Sequence, residues 1–100
     1  MLGALSVVGF LPSTDLDRSR EFFVDKLGLA LEGITPFACV LWAGSTMLRV
    51  TKVDELRPQP FTVFGWQVPD IHSTIADLGA AGITCVRFDG MEQEIGRAHV

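Results

Sequence analysis

The pattern of apolar and polar positions predicts a strand followed by a helix near the start of the chain. Residues 4–11, ALSVVGFL, are apolar and rich in branched side chains, as expected of a buried strand that Pro12 ends. Ser13 or Thr14 then caps a helix, and Gly28 ends it in the left-handed conformation that glycine favours. Three apolar residues recur between these caps at helical spacing: Leu16, Phe23 and Leu27.

Strand-like stretches follow this helix. Residues 30–37, ALEGITPF, predict a strand that bends near Gly33 or Pro36. Residues 38–53 predict a hairpin, because two runs of β-type residues flank a tight turn at residues 44–45, Gly-Ser. The first half of the chain therefore has the order βαβββ.

A second unit with the same beginning comes after a polar, proline-rich linker at residues 54–60. Residues 61–68, FTVFGWQV, predict a strand, and residues 83–88 begin another. Between them Asp70 caps a helix that Gly82 ends. The apolar stripe of this helix consists of Ile71, Ile75 and Leu78.

The two units agree at both ends of their helices. Gly28 follows Asp15 by thirteen positions, and Gly82 follows Asp70 by twelve. Two generic strand-helix units would share their order by chance, but matched caps at both ends favour an internal duplication. The predicted fold class is α+β, with paired βαβββ modules of which the second is incomplete.

This interpretation divides the chain into four parts. Residues 1–53 form the first module, residues 54–60 the linker, and residues 61–94 a second module that stops after βαβ. Residues 95–100, IGRAHV, lack a periodic pattern and match one reading frame of a common sequencing adapter. We expect them to be a non-native tail, with an ordinary frayed end as the alternative.

Composition narrows the class of protein. The net charge of −4 argues against nucleic acid and anionic membranes as partners, since both require a basic surface. No apolar run approaches the roughly 20 residues of a membrane span, and the start lacks the basic region of a signal peptide. Cys39 and Cys85 lie in apolar runs without metal-type spacing, so we expect buried, reduced thiols in a cytoplasmic protein.

Residues 13–29, STDLDRSREFFVDKLGL, carry a resemblance to a known family. They are similar to the D-L-x-x-S-x-x-F-Y-x-x-x-L-G-[LF] signature of the vicinal oxygen chelate superfamily, with Phe23 in place of tyrosine. That superfamily includes glyoxalase I, bleomycin-resistance proteins and extradiol dioxygenases. Residues 66–71, WQVPDI, open the second module in the same way, and the resemblance covers about residues 5–91. It implies two sheets that form a cleft, but not one activity, because the scaffold hosts several.

The resemblance also implies where the metal enzymes of the family hold their ion. Their four ligands are His, Gln or Glu, near the start of each module's first strand and on each module's last strand. The matching positions here hold Val8, Val63 and Arg49, and the fourth falls on a strand that the chain is predicted to lack. Valine has no lone pair and arginine brings a positive charge, so we predict no metal and no cofactor. His72, in the first turn of the second helix, has no clustered partner and is interpreted as solvated.

Strand alternation then indicates which side chains line the cleft. The predicted ligand-binding residues are Val8, Phe10, Trp42, Met47, Arg49, Val63 and Gln67. Apolar walls with a few polar points are typical of a site for a small hydrophobic or aromatic molecule. Arg49 either pairs with a carboxylate or phosphate, or covers apolar surface with its stem. Trp42 and Trp66 either stack on a flat ligand or pack in the core.

Three functions remain open at this point. The first is a metal-free binding protein of the bleomycin-resistance type. The second is a glyoxalase-like lyase or dioxygenase with an atypical metal site, and whether the chain is an enzyme stays undecided. The third is an interaction module, in which an exposed sheet edge pairs with a second copy to give a homodimer. No catalytic residue is assigned, because the sequence holds neither a Ser-His-Asp set nor a phosphate-binding loop.

Overall fold

The computed structural model describes residues 1–84 and the backbone of residues 97–99. The chain divides into two compact units, Met1–Arg57 and Pro58–Val100, so that the boundary falls within the proline-rich segment. In order, the elements are a 3₁₀ turn Leu2–Ala4, β1 Val8–Ser13, α1 Leu16–Arg20 continued by a π-helical segment Glu21–Lys26, β2 Ala30–Ile34, β3 Ala38–Ala43, β4 Thr46–Lys52, β5 Gly65–Gln67, α2 Ile71–Ala80 and β6 Arg97–His99.

The first unit is a four-stranded sheet with one helix packed on it. The strand order is β1-β4-β3-β2, with β1 parallel to β4 and the other neighbours antiparallel. The α1 helix contacts β3 and β4. The predicted α+β class and the βαβββ order of this unit are therefore confirmed.

A buried cluster fills the space between α1 and the sheet. Its apolar members are Leu16, Phe23, Cys39, Leu41, Leu48 and Val50. Two of the three predicted stripe residues of the helix belong to it, because positions seven apart lie on the same helix face. Burial of these side chains is the main stabilising term of the unit.

The first strand begins and ends later than the sequence pattern predicts. It runs from Val8 to Ser13, whereas residues 4–11 were expected, and Pro12 lies inside it. The expectation that proline ends the strand is wrong because β1 is an edge strand of the sheet. An edge strand tolerates proline, since a missing N–H on the outer side removes no hydrogen bond of the sheet.

The cap of α1 also differs from the prediction. Asp15, and not Ser13 or Thr14, is the N-cap residue, and its carboxylate accepts a hydrogen bond from the Arg18 amide at 3.1 Å. The Ser13 hydroxyl instead accepts from the Asp15 amide at 3.1 Å and donates to the Asp15 carbonyl at 2.9 Å. Ser13 thus shapes the entry to the helix, while Asp15 satisfies the free amide of the first turn.

The remaining turns of the first unit follow the prediction. Gly28 ends the helix with φ 80°, and Gly44 makes the β3–β4 turn with φ 61°. In β2 the register shifts between Leu31 and Gly33, which is the predicted bend in the form of a β-bulge. The π-helical segment was not predicted; in it the Leu27 amide donates to the Phe22 carbonyl at 3.1 Å.

The second unit has a shorter strand than predicted and the expected helix. Residues 61–68 contribute only the three paired residues of β5. Asp70 caps α2 by accepting hydrogen bonds from the amides of His72 and Ser73. Gly82, with φ 84°, ends the helix, and the Ile83 amide donates to the Leu78 carbonyl at 2.9 Å.

One prediction for the end of the chain is wrong, and another falls on residues that the structure does not describe. Most of the predicted strand at residues 83–88, with Cys85, falls in the range 85–96 that the structure does not describe. Residues 95–100 were expected to lack a strand, but β6 pairs antiparallel with β5. The reason is that an extended segment of any composition can pair with a free strand edge through its backbone.

Candidate functional site

The two faces of the first sheet differ sharply in exposure. Leu48 and Val50 of β4 point towards α1 and are 0% and 1% exposed, respectively. Met47 and Arg49, which alternate with them, point to the opposite side and are partly exposed. On the neighbouring edge strand Phe10 is 67% exposed on that same side. The side away from α1 is therefore accessible in this structure.

Cross-strand register groups the side chains of this side into rows. One row holds Val8, Met47, Trp42 and Ala30, and the next holds Phe10, Arg49, Val40 and Gly33. We use the name open face for six residues of these rows: Val8, Phe10, Val40, Trp42, Met47 and Arg49. Because neighbouring strands lie about 4.8 Å apart, the open face spans roughly 10 Å across β1, β4 and β3. That width suits a small planar molecule.

Five of the seven predicted ligand-binding residues meet on the open face. They are Val8, Phe10, Trp42, Met47 and Arg49. The other two belong to the second unit. Val63 precedes β5 and is exposed, and Gln67 is the last residue of β5 and is also exposed. Ligand binding by any of the seven stays a prediction.

Glu32 is a neighbour of the open face that the sequence pattern did not reveal. It lies in the β2 bulge, and its carboxylate accepts a hydrogen bond from Trp42 Nε1 at 2.8 Å. The signal that points to it is Gly33 inside a strand pattern, which often marks a bulge. Because this bond occupies the indole N–H, the ring of Trp42 offers a ligand its aromatic surface alone.

Arg49 is the one cationic residue of the open face. Within residues 1–84 its guanidinium has no hydrogen bond or ion pair. Its cross-strand neighbours, Phe10 and Val40, are apolar. A guanidinium in these surroundings keeps all its N–H donors available for a carboxylate or phosphate.

A separate depression of about 460 Å³ lies beside the N-terminus of α1. Its lining residues are Thr14, Asp15, Leu16, Asp17, Ile34, Thr35, Pro36 and Lys52. The Lys52 ammonium donates to the Thr14 carbonyl at 2.8 Å, which ties the end of β4 to the turn before the helix. The depression contains none of the predicted site residues.

The structure also shows the surroundings of two further candidate residues, Cys39 and His72. Cys39 is a free, fully buried thiol, and burial raises its pKa while the Arg20 charge lowers it to a smaller extent. His72 is exposed on α2, as predicted. Among the residues described, no three His, Cys, Asp or Glu side chains cluster as metal ligands do. Nor does any helix within that range have the length and apolar character needed to cross a bilayer.

Two solved structures share this architecture. One is a bleomycin resistance determinant encoded on the transposon Tn5, with TM-score 0.59 and 20% sequence identity, covering 87% of this chain and 72% of that one. The other is a glyoxalase/bleomycin resistance protein/dioxygenase from Alicyclobacillus acidocaldarius, with TM-score 0.59 and 20% identity, covering 88% of this chain and 75% of that one. The chain has the glyoxalase/bleomycin-resistance fold.

The evidence for the glyoxalase/bleomycin-resistance fold is structural. No family model matches the sequence, and no curated protein matches it. At 20% identity the likeness establishes the fold alone, since one fold hosts several functions. The resemblance drawn from residues 13–29 is therefore confirmed for the fold.

Within the glyoxalase/bleomycin-resistance fold, the positions that the resemblance assigned to metal ligands can be located in the first unit. Val8 and Arg49 both lie on the open face, on the neighbouring strands β1 and β4. Arg49 is opposite Phe10, two residues along the strand from Val8. Val8 and Arg49 therefore lie close together on the sheet, and the replacement of metal ligands at these positions stays a prediction.

Proposed function

We propose that this chain binds a small hydrophobic or aromatic molecule on the open face without a metal ion, like a binding protein of the bleomycin-resistance type. The observation that carries the proposal is the grouping of five apolar side chains with one arginine on one accessible sheet face. Such a surface gains free energy when an apolar ligand removes it from water. A single polar point orients the ligand.

The metal-free part of the proposal rests on donor chemistry. Val8 has no lone pair, and the Arg49 guanidinium repels a cation. Divalent metals in proteins require carboxylate, imidazole, thiolate or carbonyl donors, which the open face does not supply from its six side chains. The lyase or dioxygenase alternative would require ligands from elsewhere.

The test uses the full chain with Trp66→Phe, so that Trp42 is the remaining fluorophore. Titration with 2-naphthalenemethanol, a neutral aromatic probe, should quench Trp42 emission to saturation. Phe10→Ala should weaken binding about tenfold, because it removes most of one aromatic contact. Ile75→Ala, at an exposed apolar position of α2, is the matched control and should leave the affinity unchanged.

Two results would contradict the proposal. Linear quenching without saturation, or equal affinity of the Phe10→Ala and parent chains, would show that the open face is not the site. A rise of the melting temperature in micromolar zinc, nickel, manganese or iron would contradict the metal-free part, because a ligand that binds only the folded state stabilises it. That second result would favour the enzyme alternative.

We further propose a cytoplasmic location and a homodimer. A cytoplasmic location is supported by Cys39, a thiol that stays free in the fold, as expected of a reducing compartment. The homodimer is supported by β1, an edge strand preceded by the exposed apolar residues Leu5 and Val7. Exposed edges of this kind pair with other strands unless they are protected.

A further inference from the structure

We infer that the open face selects a flat aromatic carboxylate over neutral and cationic molecules of the same shape. The inference rests on the proposed function, since it names the class of ligand for the same site. It is carried by the charges of the open face and its border, by the Trp42–Glu32 hydrogen bond, and by the register between β3 and β4.

The first step concerns the free charge. Of the two ionic side chains at this side of the sheet, Glu32 is engaged by Trp42 Nε1 and Arg49 has no partner within the described part of the chain. The Glu32 carboxylate keeps its negative charge in this hydrogen bond but forms no ion pair with Arg49, so the N–H donors of the guanidinium stay available to a ligand. The open face presents a net positive point to an incoming ligand, although the whole chain carries a net charge of −4.

The second step concerns the surroundings of Arg49. It is partly buried, with Phe10 and Val40 as its cross-strand neighbours. A charge beside apolar groups is less screened than one surrounded by water, so it interacts more strongly with a ligand. An arginine also binds a planar carboxylate through two parallel N–H donors, which a neutral alcohol cannot match.

The third step concerns spacing. Val40 is paired with Arg49, and Trp42 with Met47, so Trp42 and Arg49 are diagonal neighbours on adjacent strands. Diagonal Cβ atoms in an antiparallel pair lie roughly 7 Å apart. An aromatic ring stacked on Trp42 and Met47 can therefore direct a carboxylate on its own edge towards the guanidinium. A cation in the same pose would meet repulsion from the Arg49 guanidinium.

The experiment compares three naphthalene probes of one shape: 2-naphthoate, 2-naphthalenemethanol and 2-naphthylmethylammonium. Affinities are measured by Trp42 quenching in the full chain carrying Trp66→Phe. The parent should bind the carboxylate about tenfold more tightly than the alcohol, and the ammonium most weakly. Arg49→Gln should bring the carboxylate and the alcohol to equal affinity, because the neutral amide lacks the charged pair of N–H donors.

Two further variants test how the charges of Arg49 and Glu32 contribute to the carboxylate preference. Arg49→Lys keeps the charge but loses the planar pair of donors, so the carboxylate preference should fall without vanishing. Glu32→Gln keeps an acceptor for Trp42 Nε1 and removes the negative charge, so the preference should be retained or increased. Circular dichroism of each variant verifies the fold, and both positions are accessible enough that neither change enters the core.

The possible outcomes distinguish failure of this inference from failure of the proposed function. Equal binding of the three probes by the parent, or a carboxylate preference that survives in Arg49→Gln, overturns the inference while leaving a binding face. Failure of all three probes to saturate overturns the proposed function and the inference with it. Loss of binding for every probe in Arg49→Gln would show that Arg49 supports the face as a whole, which also overturns the inference.

Discussion

At the scale of single residues, Cys39 links burial to ionisation. Its side chain is fully buried among the residues between α1 and the sheet. Burial disfavours the thiolate and raises the pKa above its ordinary value of 9.0, and Arg20 offsets part of this effect. The folded chain therefore holds its proton at a pH at which the unfolded chain releases it.

This difference predicts a pH dependence of stability. The stabilisation is fully present below the pKa of the unfolded thiol and is lost as the pH rises through the folded pKa, because the unfolded state then binds fewer protons. Urea unfolding from about pH 7 to about pH 10.5 should show a steeper decline for the parent than for Cys39→Ala. Equal slopes for the two proteins would contradict the prediction.

Alternate residues of β4 give a second prediction at this scale. Leu48→Ala should lower the free energy of unfolding by about 2–5 kcal/mol, because Leu48 is fully buried and its removal leaves a cavity. Met47→Ala, one residue away on the open face, should cost less than about 1 kcal/mol and should weaken probe binding instead. Urea unfolding and probe titration of both variants separate the two roles. Comparable stability losses would show that the faces are not distinct.

Single residues also show which structural features the sequence pattern predicted correctly and which it missed. The period of two along β1, β3 and β4 correctly placed Val8, Phe10 and Arg49 on one side of a sheet. Glu32 escaped detection because a bulge inserts a residue and breaks that period. The helix cap was misplaced because Ser13, Thr14 and Asp15 are all residues that cap helices, and backbone geometry chooses among them.

At the scale of elements, the two helical segments differ in length by one residue, and the π-helical segment accounts for this difference. The first helix has thirteen positions from its capping aspartate to its final glycine, and the second has twelve. A π turn closes each hydrogen bond over one residue more than an α turn. The bond from the Leu27 amide to the Phe22 carbonyl is of this kind, so the segment absorbs the extra residue.

Deletion of one residue should therefore be tolerated at the π-helical segment. Removing Asp25, which is exposed, should convert the segment to α-helix, keep Phe23 buried and change the free energy of unfolding by less than about 1 kcal/mol. Removing both Asp25 and Lys26 turns the rest of the helix by a further 100° or so and should cost more than about 2 kcal/mol. Circular dichroism during urea unfolding measures both, and equal losses would contradict this account.

At the scale of the whole molecule, exposed apolar surface near β1 predicts self-association. Leu5 and Val7 precede the edge strand and are 64% and 70% exposed. Sedimentation velocity between about 5 and 100 μM should show a dimer whose fraction rises with concentration. Leu5→Lys with Val7→Lys should shift the equilibrium to monomer, because charge near an edge opposes pairing.

The control for this prediction is Phe37→Lys. Phe37 is also exposed, but it lies in the turn between β2 and β3, where its carbonyl accepts a hydrogen bond from the Lys52 amide, and it is not part of the edge strand β1. This substitution should leave the monomer–dimer equilibrium unchanged. A monomer at every concentration, or the same weakening by both sets of lysines, would remove the proposed role of the β1 edge.

The order of elements in the first unit was predictable from the sequence, whereas the pairing of strands was not. Glycines and capping residues mark where elements stop, so they fixed the sequence of strand and helix. The parallel neighbours β1 and β4 are separated by two strands in the chain, and no local pattern encodes that contact. The resemblance at residues 13–29 implied two sheets that form a cleft, and the strand order within the first sheet came from the structure.

The parallel pairing of β1 with β4 has a consequence for how the protein is made. Val8 emerges from the ribosome first, but its partner Met47 is added only after another 39 residues. At 5–20 residues per second, the apolar first strand waits roughly 2–8 s for that partner. The β3–β4 hairpin, in contrast, closes within microseconds of its synthesis. During translation the first strand is therefore left unpaired for far longer than the strands of this hairpin.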